Sequence, residues 1–240
     1  NKLSGKVIKA CLPMHTYGHP CRIDEIRKIC DKFNITLVED AAESLGSKYK
    51  GQHTGTFGSL GVFSFNGNKV ITSGGGGCIV TNNEYFANKA KHLTTTAKVG
   101  HQWAFAHDMI GFNYRMPNLN AALLLGQLEN LDSFITKKRK LADKYIDYFD
   151  KSFCSFIKEP CCGESNYWLN SILLENKKQR DVFLQLTNSK GVMTRPVWGL
   201  MNKQKMFNSC FADGLENAEW FEKRLINIPS SPKLMDYEEK

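Results

Sequence analysis

A strand–helix–strand pattern at the start of the chain restricts the fold more than any other feature. VIKACL (residues 7–12) has the composition of a buried strand, and ITLVEDAAE begins a second short β-branched run that ends in acidic residues. Between them, apolar residues recur at helical spacing: Ile23, Ile26, Ile29, Cys30 and Phe33. This βαβ pattern predicts an α/β fold with a mostly parallel sheet and flanking helices. Ligands bind beyond the carboxyl ends of such strands, and Asp40 lies there.

A third apolar run leads to a lysine and a series of glycines. LGVFSF (60–65) is predicted to be a strand, Lys69 follows it, and GCIVT (77–81) is predicted to be the next strand. The glycines follow the lysine, which excludes a P-loop. Pyridoxal phosphate needs a lysine for an imine and a carboxylate at its pyridine nitrogen. Asp40 and Lys69 each follow a predicted strand, and Ser64 is a candidate ligand for the phosphate.

Each of these signals also has a simpler explanation. A single lysine after a strand is usually solvated, and an aspartate there often caps a helical turn, which Ala41 and Ala42 would begin. Four consecutive glycines commonly form a turn and nothing more. The residues by themselves leave these alternatives open.

The rest of the chain predicts further helices and a second domain. Residues 83–96 are predicted to be helical, and a long helix runs from Leu119 to about Phe149, with a break near Asp132. YWLNSILL, NKKQRDVFLQLTNSKG and VMTRPVW then give a strand, a helix and a strand. We therefore expect residues 1–132 to belong to a large domain and residues 133–240 to form a smaller C-terminal α+β domain.

Charge and cysteine placement exclude several protein classes. The net charge is +8, but the basic residues are dispersed, which argues against a nucleic-acid partner and suits an anionic small substrate. No apolar stretch is long enough to span a bilayer. The eight cysteines form no CxxC pair, which predicts reduced thiols, no metal site and a cytoplasmic location. Adjacent Cys161 and Cys162 are either a redox-active pair or two ordinary thiols in a turn.

Four segments resemble one enzyme family in the same order along the chain. They are PMHTYGHPCRIDEI, VEDAAESLGSKYKGQHTGTFGSLGVFSFNGNKVITSGGGG, GFNYRMPNLNAALLLGQLENLD and INIPSS. Together they resemble the DegT-type sugar aminotransferases, which are fold-type I, pyridoxal-phosphate-dependent enzymes acting on nucleotide-linked keto-sugars. The NGNK and GGGG variants are similar to the branch that makes 4-amino-6-deoxy sugars for bacillosamine and legionaminic acid. Family members more often have a glutamate where this chain has Gly75.

The resemblance implies a role for each matching residue. Lys69 is the Schiff-base lysine for pyridoxal 5′-phosphate (PLP), and Asp40 pairs with the pyridinium nitrogen. Glu43 lies near the cofactor's phenolic oxygen, and Ser64 contacts the phosphate. Asn113 reaches the phosphate in the neighbouring subunit, which implies a homodimer with shared active sites. The implied reaction transfers an amino group from an amino acid, expected to be glutamate, to a 4-keto-6-deoxy nucleotide sugar.

The resemblance begins part-way through the family's pattern. About the first third of a family member has no counterpart in the chain, so we expect the 240 residues alone to bind PLP poorly or not at all. The alternatives are a truncated, inactive homologue, half of a hetero-oligomer, or an aminotransferase for another keto-sugar or a cyclitol ketone. Segment 193–206 is the expected substrate-facing part of the small domain.

Overall fold

The computed structural model of the chain describes residues 5–235. Its strands are β1 (Ala10–Cys11), β2 (Thr36–Asp40), β3 (Lys48–Tyr49), β4 (Gln52–His53), β5 (Leu60–Ser64), β6 (Gly77–Val80), β7 (Lys98–Val99), β8 (Ala106–His107), β9 (Ser155–Phe156), β10 (Gly163–Glu164), β11 (Asn170–Leu173), β12 (Arg195–Pro196) and β13 (Leu225–Ile228). Its α-helices are α1 (Ile23–Lys32), α2 (Glu84–Thr94), α3 (Asn118–Leu128), α4 (Leu131–Phe149), α5 (Lys177–Ser189) and α6 (Glu216–Glu222). The first compact unit comprises Ile8–Ile135 and Pro160–Asn166, and the second contains Thr136–Glu159 and the residues from Tyr167 onward.

A four-stranded sheet in the order β1–β2–β5–β6 frames the first unit. β1, β2 and β5 run parallel, and α1 connects β1 to β2 as the βαβ pattern predicts. β6 is antiparallel to β5, because the glycine-rich segment between them turns back without a crossover helix. The predicted α/β class with a mostly parallel sheet is confirmed.

Two clusters of buried side chains pack this unit. One contains Ile23, Cys30, Leu37 and Tyr49, and the other contains Ala41, Phe63, Phe65 and Ile71. Gly61 on β5 lies so close to a neighbouring loop that an added Cβ would stand 1.9 Å from the carbonyl oxygen of Gly55. Glycine at position 61 therefore allows the loop after β4 to approach the sheet this closely.

The second unit is built on an antiparallel sheet in the order β12–β13–β11–β9. Its buried core is Ala142, Cys154, Phe156, Tyr167, Ile172, Leu174, Ile226 and Ile228. Part of α4 and α5 pack against this cluster through Tyr145, Ile146, Phe149, Phe183 and Leu184. Within residues 5–235, no helix combines the length and apolar character that crossing a membrane requires.

The structure differs from the sequence-based predictions in several places. Between β2 and β5 it contains the β3–β4 hairpin, which the sequence analysis did not predict. The long helix breaks between Leu128 and Leu131, a few residues earlier than expected. Residues 160–166 pack with the first unit, because β10 pairs with β3 from a distant part of the sequence. Where the large and small domains of the functional protein divide stays a prediction.

Candidate active site

The carboxyl ends of β2 and β5 meet at one edge of the parallel sheet. Asp40 is the last residue of β2, and Ser64 is the last residue of β5. Main-chain bonds fix Asp40: its N–H donates to the Pro13 carbonyl at 2.9 Å, and its carbonyl accepts from the His15 N–H at 3.1 Å. Its carboxylate Oδ1 accepts the Ala42 N–H at 3.1 Å. The half-buried carboxylate is thus oriented by its own turn at the sheet edge where ligands bind.

Lys69 follows β5 in a tight turn, in which its N–H donates to the Asn66 carbonyl at 3.0 Å. Its side chain is 14% exposed, and its Nζ lies 3.9 Å from Oε1 of Glu43. Burial lowers the pKa of Lys69, and the charges of Glu43 and Asp40 oppose that change. More of Lys69 is therefore neutral amine than in an exposed lysine, and the neutral amine is the form that attacks a carbonyl carbon.

Glu43 is oriented toward Lys69 by a strained main-chain turn. Its Oε2 accepts the Tyr17 N–H at 2.7 Å, and its side chain is buried. Tyr17 has a φ of 59°, a left-handed conformation that non-glycine residues rarely adopt. Burial raises the pKa of Glu43, while the Tyr17 N–H and the Lys69 charge lower it. Because burial moves both partners toward their neutral forms, their proton affinities differ less than they do in water.

A second carboxylate on β2 lies on the face of the sheet opposite that of Asp40. Glu39 is fully buried, and its side chain points to the opposite face from that of the adjacent Asp40. Oε2 of Glu39 lies 3.1 Å from Nε2 of His15. Because Nδ1 of His15 accepts the Cys21 N–H, the ring proton is on Nε2, and Nε2–H donates to Glu39. Glu39 also accepts three backbone N–H groups, from Gly55, Phe57 and Gly58, at 2.6–2.8 Å. Burial opposes ionisation of Glu39, but these bonds outweigh it and lower its pKa.

A buried asparagine from residues 160–166 fixes the loop that carries Glu43. Asn166 Nδ2 donates to the carbonyls of Glu43 and Leu45, both at 2.9 Å. The Asn166 N–H donates to Ser47 Oγ at 3.0 Å, and that hydroxyl donates to the Gly18 carbonyl at 2.7 Å. The loop beside Lys69 is therefore held by a residue 123 positions from Glu43 in the sequence. No pattern in the sequence points to Asn166.

Comparison with known proteins identifies the family. The model of the DegT/DnrJ/EryC1/StrS aminotransferase family matches residues 2–240. The chain belongs to this family. A GDP-perosamine synthase from Escherichia coli O157:H7 is 38% identical over 235 residues, which cover 97% of the chain and 63% of that protein. The chain thus spans less than two thirds of that relative.

Solved structures of similar proteins share the fold. The aminotransferase TlmJ from Streptoalloteichus hindustanus matches with a TM-score of 0.91 at 22% identity, over 99% of the chain and 64% of that protein. A GDP-4-keto-6-deoxy-D-mannose-3-dehydratase from Escherichia coli, solved with hydrated PLP, matches with a TM-score of 0.86 at 26% identity, over 98% of the chain and 67% of that protein. The predicted family is therefore confirmed, whereas the bacillosamine and legionaminic acid branch stays a prediction.

Aminotransferases of the DegT/DnrJ/EryC1/StrS family use PLP, and the described residues fit that cofactor. Lys69 offers the amine, and Asp40 offers a carboxylate at the neighbouring strand end. Ser64 offers a hydroxyl whose oxygen accepts the Asn66 N–H at 3.3 Å, which leaves its hydrogen for another acceptor. When bound, PLP withdraws electrons from the substrate carbon that carries the amine. The roles of Lys69, Asp40, Glu43 and Ser64 toward it are predictions.

The glycine run after Lys69 is a turn with three constrained positions. Gly74 and Gly76 have φ values of +79° and +105°, and a Cβ on Gly77 would lie 2.4 Å from a β5 carbonyl oxygen. Gly75 differs, because a Cβ there meets nothing within 4 Å. The first unit therefore has room for a Cβ atom at position 75.

Asn113, the residue expected to serve a neighbouring subunit, lies on the surface of the first unit. Asn113 is exposed, and its main chain forms an isolated antiparallel bridge with Thr95. Arg115 lines a groove of about 1010 Å³ that runs along β6 and α2, and Lys69 lies outside the set of residues that line it. The structure does not place Asn113 beside Lys69 in the contacts described, and its role at a second subunit stays a prediction.

Proposed function

We propose that the chain is the lysine-bearing part of a PLP-dependent aminotransferase that transfers an amino group, from glutamate, to a nucleotide-linked 4-keto-6-deoxy sugar. The observation that carries the proposal is the largely buried Lys69 amine, 3.9 Å from Glu43 and within the electrostatic reach of Asp40. This amine has the lowered pKa and the strand-end location that covalent attachment of PLP requires.

The residues divide the chemical work among them. Lys69 would hold PLP through its amine, and the Lys69 amine, once free, would move a proton at the substrate carbon. Asp40 keeps the pyridine nitrogen protonated. Glu43 keeps a carboxyl group 3.9 Å from the Lys69 amine and would lie near the phenolic oxygen of the cofactor. Ser64 donates its hydroxyl to the phosphate.

The names of the relatives support the proposed substrate class. The relative from Escherichia coli O157:H7 is named for making GDP-perosamine, and the dehydratase is named for a GDP-linked 4-keto-6-deoxy sugar. The family's dehydratase branch is expected to carry histidine at the lysine position, so Lys69 favours amino transfer over dehydration. We predict specifically that the acceptor is the 4-keto-6-deoxy sugar of the bacillosamine and legionaminic acid branch.

Trapping of PLP on the chain tests the proposal. Wild type, Lys69→Arg and Lys28→Arg are incubated with PLP, reduced with borohydride and digested for mass mapping. Lys69→Arg keeps the charge opposite Glu43 but cannot form the imine, and exposed Lys28 on α1 is a matched control. Because the 240 residues alone are expected to bind PLP poorly or not at all, we expect a low yield of adduct even with excess PLP. The site-specific adduct that does form should lie on Lys69 in wild type and in Lys28→Arg, and it should be lost in Lys69→Arg. An adduct spread over surface lysines and unaffected by Lys69→Arg would refute the assignment.

A second candidate function is a half-site that needs a partner. The observation that favours it is the exposed position of Asn113, which the family resemblance assigns to the cofactor of a neighbouring subunit. This candidate expects a folded chain without an adduct on Lys69, and recovery of the adduct when an intact homologue is added. Size measurement with and without PLP then distinguishes a homodimer, in which Asn113 serves the partner's site, from a hetero-oligomer.

A further inference from the structure

A tight turn in the first unit places two cysteines side by side. The turn spans Pro160 to Gly163, and the Gly163 N–H closes it by donating to the Pro160 carbonyl at 2.9 Å. Cys161 and Cys162 occupy its two central positions. Cys162 has a φ of 65°, which a cysteine adopts only where the surrounding structure enforces it.

Backbone contacts hold this turn in place. The Lys50 N–H donates to the Cys162 carbonyl at 2.8 Å, and Gly163 pairs with Tyr49 across β10 and β3. A Cβ on Gly163 would lie 2.9 Å from the Pro160 ring, so the close return of the chain depends on glycine. The positions of the two thiols therefore follow from the main chain and do not require packing of their side chains.

The two sulfurs lie 3.5 Å apart, and both cysteines are exposed. Neither belongs to a buried apolar cluster of the first unit. Serine has nearly the same size as cysteine and would suit both turn positions equally well. Cysteine differs from serine by its thiol, so these two side chains add thiol chemistry at an accessible surface.

We propose that Cys161 and Cys162 form a reversible dithiol–disulfide modification site that exchanges with small-molecule disulfides of the glutathione class. The Cys161 thiolate attacks one sulfur of oxidised glutathione, and the first glutathione leaves as a thiolate that takes a proton from water. The Cys162 thiol then loses its proton and attacks the Cys161 sulfur, and the second glutathione leaves as a thiolate that takes up a proton in turn. Both cysteine thiols are oxidised, two electrons pass to the glutathione disulfide, and two glutathione molecules are released.

The contact with the Cys161 sulfur raises the pKa of Cys162. A thiol that holds its proton suits the resolving position, so we assign the first attack to Cys161 and the second to Cys162. Adjacent Cα atoms are about 3.8 Å apart, closer than the usual span of a disulfide, so the bond is strained and readily reduced.

Incubation with oxidised glutathione tests the site, with peptide mass mapping under conditions that block later exchange. Wild type, Cys161→Ser and Cys162→Ser are compared, and Cys210 is the internal reference, because it is exposed and has no adjacent cysteine. We expect the wild-type peptide to lose two hydrogens and retain no glutathione. Cys162→Ser should retain glutathione on Cys161, as Cys210 retains it in every variant, and dithiothreitol should restore both thiols.

Three results would overturn the proposal. The first is a wild-type peptide that retains glutathione, as the Cys162→Ser peptide should. The second is a disulfide that joins two chains through Cys161 or Cys162. The third is that Cys161 and Cys162 keep their thiols under conditions in which Cys210 reacts. The variants are first checked for an unchanged thermal unfolding midpoint, which exposed cysteine-to-serine changes should leave intact. If a single variant fails this check, the wild-type peptide mass and its recovery by dithiothreitol still decide the question.

Discussion

Lys138 is buried in the second unit, and its replacement by methionine should change how stability depends on pH. Its side chain is 4% exposed, and Nζ donates to the carbonyls of Trp168 at 3.1 Å and Ser230 at 2.7 Å. Burial lowers the pKa of Lys138 from 10.5 to about 8. Two carbonyl acceptors thus compensate only part of the cost of removing the ammonium group from water.

The size and direction of the effect follow from this pKa. A change of about 2.5 units, at about 1.36 kcal/mol per unit, corresponds to about 3 kcal/mol. Below pH 8 the lysine is charged in both states, and the folded state bears the full penalty. Between pH 8 and pH 10.5 the unfolded state binds more protons than the folded state, so the free energy of unfolding rises with pH.

Urea unfolding of wild type and Lys138→Met at pH 7 and pH 10, under reducing conditions, measures this contribution. Groups that titrate in both proteins cancel when the variant is subtracted from wild type. We expect the free energy of unfolding of wild type, relative to that of Lys138→Met, to rise by about 2.5 kcal/mol from pH 7 to pH 10. Lys140→Met, at an exposed position of α4, should show no such change. Equal pH dependence in wild type and Lys138→Met would refute the reasoning.

Three further substitutions test the first unit. Glu43→Gln removes a charge that raises the pKa of Lys69, so the pH profile of PLP capture on Lys69 should shift to lower pH; an unchanged profile would contradict the pairing. Gly61→Ala places a Cβ against a loop carbonyl and should lower the free energy of unfolding by about 1–3 kcal/mol or prevent folding. A Cβ at Gly67 meets nothing within 4 Å, so Gly67→Ala should unfold at nearly the wild-type urea concentration. Asn166→Ala leaves one buried and one half-buried carbonyl without their donor and should lower the free energy of unfolding by about 1–3 kcal/mol. PLP capture by the folded fraction should fall as well, and wild-type values in both assays would show that the loop does not need Asn166.

The sequence alone determined the frame of the first unit. The period of the apolar residues predicts α1 between two strands, and a crossover helix requires those strands to be parallel, as β1 and β2 are. The same logic located Asp40 at a strand end and Lys69 just beyond the next strand. These are local consequences of periodicity and chain connection, so they need no knowledge of distant residues. The resemblance of four motifs to one family added the cofactor and the residue roles.

Only the tertiary structure decided what surrounds Lys69. The strained turn at Tyr17, the Glu39–His15 pair and the amide of Asn166 come from separate parts of the chain. Burial of a charged group depends on every element packed around it, so the lowered pKa values of Lys69 and Lys138 have no signature in local sequence. The pairing of β10 with β3, which holds the Cys161–Cys162 turn, is likewise a long-range contact. Local pattern fixes which elements form, whereas the environment of a side chain is set by their packing.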